Sequence, residues 1–491
     1  MNAPRYPSLY QINTRVWLTE LSSQLGKPAT LDDIPDAELD RLAGLGFDWL
    51  WFLSVWQTGT TAQKVSRDNP EWRREFQATL PDLSEEDIAG SGFAITGYTV
   101  HQVLGGDAAL ARLRERLRRR GLKLMLDFVP NHMGLGHPWI EEHPDYFIPG
   151  SEHDLASAPQ NYTKVKSKQG DQVMAYGRDP YFSGWPDTLQ LNYANPALQE
   201  AMIGELVRIA DQCDGVRCDM AMLVLPEVFE RTWGQRAPLF WPTATQRVRE
   251  RVPGFLFMAE VYWDMEWTLQ QQGFDYAYDK RLYDRLRDGR TRSARQHLRA
   301  DLDYQTKLAR FLENHDEPRA ATTFSTEVHQ AAAVITFLAP GLHFFHQGQF
   351  EGRKKRISPH LVRGPVEPIE KHLTQFYESL LAVLRLPVVR DGQWQLLECN
   401  PGWDGNWTND CIIVFAWHSP PGELLVVAVN YASNQSQCHV RLPFPQLAGK
   451  KWQLKDQLRL ACHDWNGDDL LGRGLFLDLA PWQACAFLLC L

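Results

Sequence analysis

Cysteine is scarce and scattered in this chain of 491 residues. The eight cysteines include no pair separated by two residues and no dense cluster, so we expect reduced thiols rather than a disulfide framework. No apolar run is long enough to span a bilayer, and the first residues lack a basic segment followed by an apolar core. The sequence therefore predicts a cytoplasmic protein without a membrane partner.

An excess of positive charge is also missing. The formal net charge of -9 is mild for this length, and it argues against nucleic acid as a partner. With 44% hydrophobic and 23% charged residues, the composition is that of an ordinary globular protein, long enough for two or three domains. The 18 tryptophans are unusual, and their rings suit the apolar faces of sugars. Nothing in the sequence indicates an oligomeric state.

Short apolar segments alternate with helical patterns along the first four-fifths of the chain. No Gly-rich nucleotide loop follows the first of them, which disfavours a doubly wound open sheet. Eight strands alternating with helices favour an α/β fold in the form of a (β/α)8 TIM barrel. The candidate strands are SLYQINTRVW, FDWLWFLSV, LKLMLDFV, CDGVRCDM, FLFMAEVYW, FDYAYD, ARFLENHD and GLHFFHQG.

Two insertions and a change of pattern define the expected domains. Residues 54–94 form a long polar connection after the second strand, and loops of this length are usually functional. Residues 133–186 read as a small subdomain inserted after the third strand, and residues 1–132 with 187–388 read as the barrel. Short alternating segments in 389–491 predict a C-terminal antiparallel β-sandwich domain.

The segment GVRCDM (215–220) raises the question of why opposite charges lie in a buried strand. Arg217 and Asp219 are two positions apart, so they share one face of the strand. Active sites of such barrels lie where the strands end. Glu260 ends the fifth strand, whereas His315 and Asp316 end the seventh, so several strands deliver acids to one rim.

Carboxylates around one pocket suit glycoside hydrolysis, which needs an acid for the leaving oxygen and a second carboxylate opposite it. Glu260 follows the apolar run FLFMA, so desolvation and neighbouring carboxylates would favour its protonated form, as a general acid requires. Arg217 would keep Asp219 ionised as the nucleophile. Acids on adjacent strands lie close together, so we predict retention of configuration.

The segments DFVPNH, GVRCD, AEVYW and ENHD, in this order and spacing, resemble the conserved regions of the α-amylase family of glycoside hydrolases. The resemblance implies a covalent intermediate on Asp219, acid/base work by Glu260 and transition-state stabilisation by Asp316. It also implies sugar contacts from His132 and His315, and a ring stacked under the reacting sugar from Tyr98. No cofactor is required; Asn131 resembles a calcium ligand of many members, but the other oxygens of a calcium site are not evident, so no metal residue is assigned.

These observations leave alternatives open. The first hypothesis is a retaining α-glycosidase acting on short α-glucans or oligosaccharides. The second is a transglycosylase or phosphorylase of the same family, favoured by the apolar segment MAMLV after the nucleophile. The third, a non-catalytic barrel, would be expected to have lost a carboxylate. The basic stretch 352–363 places Arg353, Lys354, Lys355 and Arg356 after the eighth strand, where they would ring the pocket and suit a phosphorylated sugar, or form a solvated face.

Overall fold

The computed structural model describes residues 4–168, 170–420, 422–459 and 461–491. Within these ranges no helix is both long and apolar enough to cross a membrane. The strands, in chain order, are β1 (Ser8–Asn13), β2 (Trp49–Leu53), β3 (Trp56–Thr58), β4 (Ile95–Val100), β5 (Lys123–Phe128), β6 (His132–Gly134), β7 (Tyr162–Ser167), β8 (Gly170–Ala175), β9 (Thr188–Gln190), β10 (Gly215–Cys218), β11 (Leu256–Ala259), β12 (Tyr276–Tyr278), β13 (Leu308–Arg310), β14 (Leu342–His346), β15 (Gln393–Leu397), β16 (Cys399–Pro401), β17 (Ile412–His418), β18 (Leu424–Asn430), β19 (Ser436–Val440), β20 (Lys451–Asp456), β21 (Cys462–Asn466), β22 (Leu475–Leu479) and β23 (Ala484–Cys490).

Helices connect most of these strands, and short 3-10 turns fill several of the remaining loops. The α-helices, in chain order, are α1 (Thr14–Leu25), α2 (Asp36–Gly44), α3 (Thr60–Asp68), α4 (Pro70–Thr79), α5 (Gly106–Arg118), α6 (Trp139–Glu142), α7 (Glu152–Ser157), α8 (Pro196–Gln212), α9 (Pro226–Trp233), α10 (Trp241–Arg251), α11 (Glu266–Gln271), α12 (Lys280–Arg287), α13 (Thr291–His297), α14 (Leu302–Gln305), α15 (Ala320–Thr323), α16 (Thr326–Phe337), α17 (Lys371–Leu384), α18 (Pro387–Arg390) and α19 (Gly467–Gly472).

A closed barrel of eight parallel strands confirms the predicted fold class. Its strands run in the order β1, β2, β5, β10, β11, β12, β13 and β14, and β14 pairs with β1 to close it. Seven of the eight candidate segments contain a whole barrel strand, and the remaining one, ARFLENHD (309–316), begins one residue after the start of β13 at Leu308. The first segment is shorter as a strand than its letters suggest, because the Asn13 side chain accepts a hydrogen bond from the Val16 N–H and starts α1 at Thr14.

The two insertions fold over the end of the barrel where the strands finish. The first contains α3 and α4 between β3 and β4, which pair with each other as a small antiparallel ribbon. The second contains the β7–β8 hairpin, and its ends are fastened because β6 pairs antiparallel with β9. This arrangement confirms a small subdomain after the third barrel strand.

The C-terminal region forms two antiparallel sheets, which confirms the predicted β domain. One sheet has the order β15, β17, β18, β23, β20 and β21, and the other has the order β16, β19 and β22. Strand β17 is buried along almost its whole length, because one face packs on the second core of the molecule and the other on the barrel. The Trp417 indole N–H donates to Leu338 O, which ties this domain to α16.

Candidate active site

The centre of the candidate site is a buried arginine held between carboxylates. Arg217 lies in β10, one residue before the strand ends at Cys218, and its guanidinium is completely buried. Its Nη1 donates to Asp219 Oδ1 at 2.7 Å, and its Nη2 lies 2.7 Å from Glu260 Oε2. Asp316 Oδ2 lies 3.9 Å from the same Nη2. Strand alternation thus places Arg217 and Asp219 on one face, as predicted, and the barrel adds Glu260 after the adjacent strand β11 and Asp316 after the more distant strand β13.

Glu260 is the more deeply buried of the two principal acids. Its Oε2 accepts a hydrogen bond from the Met220 N–H at 2.6 Å, and its Oε1 accepts one from the Tyr262 hydroxyl at 2.9 Å. Burial raises the pKa of Glu260 to about 8; Arg217 opposes this shift, whereas Asp219 and Asp316 add to it. At neutral pH this carboxyl therefore holds a proton that it can donate.

His315 and Asp316 follow β13 and face the same centre. Gln11 on β1 donates from Nε2 to Nδ1 of His315 at 2.8 Å, so the ring carries its proton on Nε2, which lies 3.1 Å from Asp316 Oδ2. Burial lowers the pKa of His315 to about 4, so the ring is neutral near pH 7. Asp316 is the one acid of the three with a substantially exposed side chain. Gln11 could have been suspected only as a polar residue in an apolar strand.

The opposite wall of the cleft lies where the second insertion joins the barrel. His132 lines the cleft, and its ring centroid lies 5.1 Å from that of Trp185. Beside them, Asp187 is nearly buried, and its Oδ2 has no hydrogen-bond partner within the described structure. Burial raises the pKa of Asp187 to about 7. Sequence reasoning missed this fourth acid because it precedes the short strand β9 rather than following a barrel strand.

Phe93 is among the aromatic residues that line the cleft, whereas Tyr98 is not. Tyr98 packs between Trp56 and Phe128, and its hydroxyl is hydrogen-bonded to both the N–H and the carbonyl of Val129 at 3.0 Å. It is outside the set of side chains that line the cleft, so the expected stacking position of Tyr98 is corrected. Phe93 lines the cleft instead, with its ring stacked on His315 at 5.4 Å. Its signal was obscured because it lies in a turn before β4.

A roof over the cleft is built from two segments that are far apart in sequence. Trp72, Glu75 and Phe76 from α4 meet Arg356 and His360 from the basic stretch, and all five line the cleft. The Trp72 and His360 rings are 4.5 Å apart, and Arg356 forms an ion pair with Glu75. The cleft below has a volume of about 420 Å³.

Of the two alternatives for the basic stretch, a ring around the pocket or a solvated face, the ring is wrong for three of the four side chains. Arg356 reaches the cleft, but its charge is already paired. Arg353 lies 3.5 Å from Glu20 instead, and Lys355 donates to Ala78 O at 3.2 Å. Lys354 is exposed, and its N–H bonds Glu367. Carboxylates from distant segments therefore pair with the two arginines of this stretch, Arg353 and Arg356.

Asp127, the acid of the third barrel strand, is not among the residues that line the cleft. Asp127 accepts hydrogen bonds from the Trp51 indole at 3.0 Å and from the Ser54 N–H at 2.9 Å. Its burial raises the pKa to about 7. Asp127 therefore stabilises the end of β2 and the turn that follows it, and it is not proposed to contact substrate.

The surroundings of Asn131 do not fit a calcium ion. The Gln190 side-chain nitrogen donates to Asn131 Oδ1 at 2.9 Å, to Asn131 O at 3.0 Å and to Leu191 O at 3.1 Å. Calcium would need these oxygens as ligands, but an amide nitrogen occupies the point on which they converge. Elsewhere in the described ranges, no group of three or more His, Cys, Asp or Glu side chains is placed to hold a metal ion.

Comparison with known proteins gives consistent matches. The family described as "Alpha amylase, catalytic domain" matches residues 30–360. An alpha-1,4-glucan:maltose-1-phosphate maltosyltransferase of Burkholderia pseudomallei is 28% identical over 314 residues, 62% of this chain and 23% of that protein. Alpha-amylase MalA of Haloarcula japonica is 25% identical over 357 residues, 71% of this chain and 44% of its own. The chain thus spans less than half the length of these two relatives.

A solved structure supports the same fold over the whole chain. The maltogenic alpha-amylase AmyB from Thermotoga neapolitana superposes with a TM-score of 0.69, covering 99% of both chains at 17% sequence identity. At that identity the likeness concerns the fold alone. It covers the barrel, the insertions and the C-terminal sheets.

Proposed function

The chain belongs to the α-amylase family, and on that premise we propose that it is a retaining α-glycosidase acting on the α-glucosidic bonds of short α-glucans or oligosaccharides. Asp219 is the proposed nucleophile, Glu260 the general acid and base, and Asp316 the group that stabilises the transition state. Arg217, His132 and His315 complete the substrate-binding set. The contacts described above support these roles by placing the residues around one cleft.

In the first step, the protonated Glu260 donates its proton to the glycosidic oxygen while the bond from that oxygen to C1 breaks. Asp219 attacks C1 from the opposite face, and its carboxylate oxygen forms a covalent ester with the sugar. The leaving group departs as a neutral alcohol. The partial positive charge that develops on the ring is stabilised by the Asp316 carboxylate.

In the second step, Glu260 is ionised and takes a proton from a water molecule, whose oxygen attacks C1 and displaces Asp219. The product leaves with its anomeric configuration retained, because C1 is inverted twice. The starting protonation states of Asp219 and Glu260 are restored, and no cofactor enters the cycle.

The observation that carries the proposal is the single guanidinium shared by Asp219 and Glu260 at 2.7 Å each. An inverting pair is separated by about 6.5–9.5 Å so that a water molecule fits between the acid and the sugar, whereas a retaining pair is about 5–5.5 Å apart. Two carboxylates that contact the two Nη atoms of one arginine are neighbours. This favours direct attack by Asp219.

The shape of the cleft supports a small substrate. Its volume of about 420 Å³ lies towards the lower end of the range for small-molecule sites, roughly 300–1,000 Å³. Residues of the 54–94 insertion close one side, so a long glucan has little room to pass through. Within this cleft we propose that Phe93 supplies the apolar face for the reacting sugar and that Asp187 accepts a hydrogen bond from one of its hydroxyls.

Transfer to a sugar or to phosphate is the second candidate. Met220 lines the cleft next to Asp219, and Ala221 to Leu225 are buried. An apolar wall there would disfavour water relative to a larger acceptor. The same covalent intermediate would serve, so the two candidates differ only in what attacks it.

The test is product analysis by NMR at the anomeric protons. The protein and its Asp219→Ala variant are incubated with sucrose, trehalose and maltooligosaccharides, each with and without phosphate. Free α-anomers formed only by the unsubstituted protein would support hydrolysis with retention. Longer oligosaccharides or a sugar phosphate would support transfer, and initial release of β-anomers would contradict the retaining mechanism.

We further propose the domain division 1–132 with 187–388, 133–186 and 389–491, and a cytoplasmic location. The division is supported by the pairing of β6 with β9 at the neck of the subdomain and by the start of β15 at Gln393. The location is supported by the scattered spacing of the eight cysteines. Expression of separate segments and subcellular fractionation would test these two statements.

A further inference from the structure

A second buried arginine lies near the same end of the barrel, but it has no acidic partner. Arg15 belongs to the first turn of α1 and is only 7% exposed. Its Nη1 donates to Gly90 O at 2.9 Å, and its Nη2 donates to Thr58 Oγ1 at 3.4 Å. Within the part of the chain that the structure describes, no carboxylate forms an ion pair with it.

An unpaired buried charge is costly, because neutral hydrogen-bond acceptors replace only part of the lost hydration. Burial lowers the pKa of Arg15 to about 10, and no acid appears among the causes of that shift. The guanidinium therefore remains charged at neutral pH without a counter-charge from the described residues. A group of this kind is stabilised when an anion reaches it from solution.

A cavity gives such an anion access. The space beside Arg15, which we call the Arg15 cavity, has a volume of about 460 Å³. Its lining includes the apolar side chains Leu18, Val103 and Leu104 and the polar side chains of Thr19 and His101. This combination of apolar wall and few polar groups is typical of small-molecule sites. The Arg15 cavity and the catalytic cleft share no lining residue.

Two further features of the Arg15 cavity favour negative charge. His101 accepts the Val103 N–H on Nδ1 at 3.3 Å, so its Nε2 carries the proton and serves as a donor. Helix α3 begins at the cavity wall, where Gly59 and Thr60 contribute to the lining, and no side chain caps its first N–H groups. The positive end of that helix dipole therefore adds to the charge of Arg15.

We propose that the Arg15 cavity binds a small organic oxyanion, either a phosphate ester or a carboxylate. The oxyanion pairs with the Arg15 guanidinium and with the donors of His101 and α3. The apolar body of the ligand packs on Leu18, Val103 and Leu104. This site goes beyond the proposed glycosidase activity and does not depend on it.

The experiment uses probes that separate the anion from the apolar body. Phenyl phosphate, benzoate, inorganic phosphate and the neutral control benzyl alcohol are titrated into the full chain by isothermal calorimetry at constant ionic strength. We expect saturable binding of phenyl phosphate or benzoate, at least tenfold tighter than that of benzyl alcohol. The stronger of the two probes distinguishes a phosphate ester from a carboxylate as the natural ligand class.

Three variants assign the binding to the cavity. Arg15→Met removes the charge at similar length, and we expect at least a tenfold loss of affinity together with an unchanged or higher unfolding temperature without ligand. Val103→Trp adds bulk at an exposed residue of the cavity lining and keeps Arg15, so it should also lose binding. Arg353→Met is the matched control, since that arginine pairs with Glu20 outside the cavity, and its affinity should not change.

The proposal is overturned if no anionic probe binds the unsubstituted protein saturably. It is equally overturned if Arg15→Met and Val103→Trp both bind the probes as well as the unsubstituted protein. A fall in unfolding temperature for Arg15→Met, with no anion binding to the parent, would assign the guanidinium to support of the Gly90 and Thr58 loops alone.

Discussion

Two buried arginines at the same end of the barrel differ in what surrounds them. Arg217 contacts Asp219 and Glu260 at 2.7 Å and has Asp316 at 3.9 Å. Arg15 contacts one carbonyl and one hydroxyl, and no acid of the described chain pairs with it. Both side chains are withdrawn from solvent, so the difference lies in the counter-charge that the fold supplies.

The contrast shows how the fold prepares each pocket. Around Arg217 the acids outnumber the cation; burial raises the pKa of one of them, Glu260, and the neighbouring Asp219 and Asp316 add to the shift, so Glu260 stays protonated near neutral pH. The chemistry of the cleft is therefore built in before substrate arrives. Around Arg15 the cation is in excess, so its pocket is completed only by an anion from outside.

The largest expected effect is the loss of the nucleophile. Asp219→Ala should lower kcat on the order of 10⁴–10⁶-fold, because no other group can form the covalent intermediate. Added azide should restore turnover of a nitrophenyl α-glycoside and give a glycosyl azide of inverted configuration. The measurement is steady-state kinetics with NMR of the product.

A matched control for that variant is Glu317→Gln. This acid follows Asp316 directly but pairs with Lys280 and stands outside the cleft. Its kcat should stay within a few-fold of the parent. Loss of activity in Glu317→Gln equal to that of Asp219→Ala would mean that the cleft responds to general damage rather than to loss of the nucleophile.

The comparison of arginines is tested most directly by Arg217→Met. This change leaves two buried acids, Asp219 and Glu260, without their cation, and breaking such a pair typically costs about 3–5 kcal/mol of unfolding free energy. Denaturant unfolding should therefore show a large loss for Arg217→Met and none for Arg15→Met. Equal losses in the two variants would remove the distinction between the sites.

Glu260→Gln should remove the general acid without removing the nucleophile. We expect kcat to fall about 10²–10⁴-fold on a natural sugar leaving group. Since the pKa of Glu260 is about 8, the acid is protonated below that value, and activity of the parent should fall as pH rises through it. A pH–rate profile of kcat/KM checks this.

Comparing a nitrophenyl with a sugar leaving group distinguishes loss of the general acid in Glu260→Gln from misfolding of the variant. A nitrophenyl group leaves without a proton, so the formation of the covalent intermediate should be affected far less in Glu260→Gln than with a sugar leaving group. An alkaline limb of the pH profile that persists in Glu260→Gln would assign that limb to another residue.

Asp187→Asn is expected to have a moderate effect on binding. The side chain keeps its shape but loses an acceptor that is buried and unpartnered. KM should rise about tenfold, equivalent to roughly 1.4 kcal/mol, as for a lost hydrogen bond to a charged group. Asp145→Asn, an exposed change in the inserted subdomain, is the control and should leave KM unaltered. An unchanged KM in Asp187→Asn would separate this acid from substrate recognition.

The smallest effect concerns calcium. Because the Gln190 amide already satisfies the oxygens of Asn131 and Leu191, a chelator should shift the unfolding temperature by less than the measurement error. Gln190→Glu would place a negative charge among these oxygens and lower the unfolding temperature, and added calcium should then restore it. A fall in the unfolding temperature of the unsubstituted protein on adding the chelator would contradict the conclusion that the surroundings of Asn131 do not fit calcium.

The barrel and its central charges were predictable because their signals are local. Strand alternation alone put Arg217 and Asp219 on one face, and the ends of strands pointed to Glu260 and Asp316. The roof was not predictable, since the contact of Glu75 with Arg356 joins segments 281 residues apart. Phe93 was missed in favour of Tyr98 because loop conformation, rather than periodicity, decides which ring faces the cleft. Likewise, the sequence does not show that the charge of Arg356 is neutralised by Glu75, because the two residues meet only in the folded chain.

The three hydrogen bonds of Gln190 have a consequence for how the junction between barrel and subdomain forms during folding. A structural metal site binds its ion from solution, so it forms fully only where the concentration of that ion is high enough. A side-chain amide arrives with the polypeptide itself. The junction between barrel and subdomain, which holds His132 and Asp187 in place, is therefore self-sufficient from the moment the chain folds, whatever the mineral content of the solution.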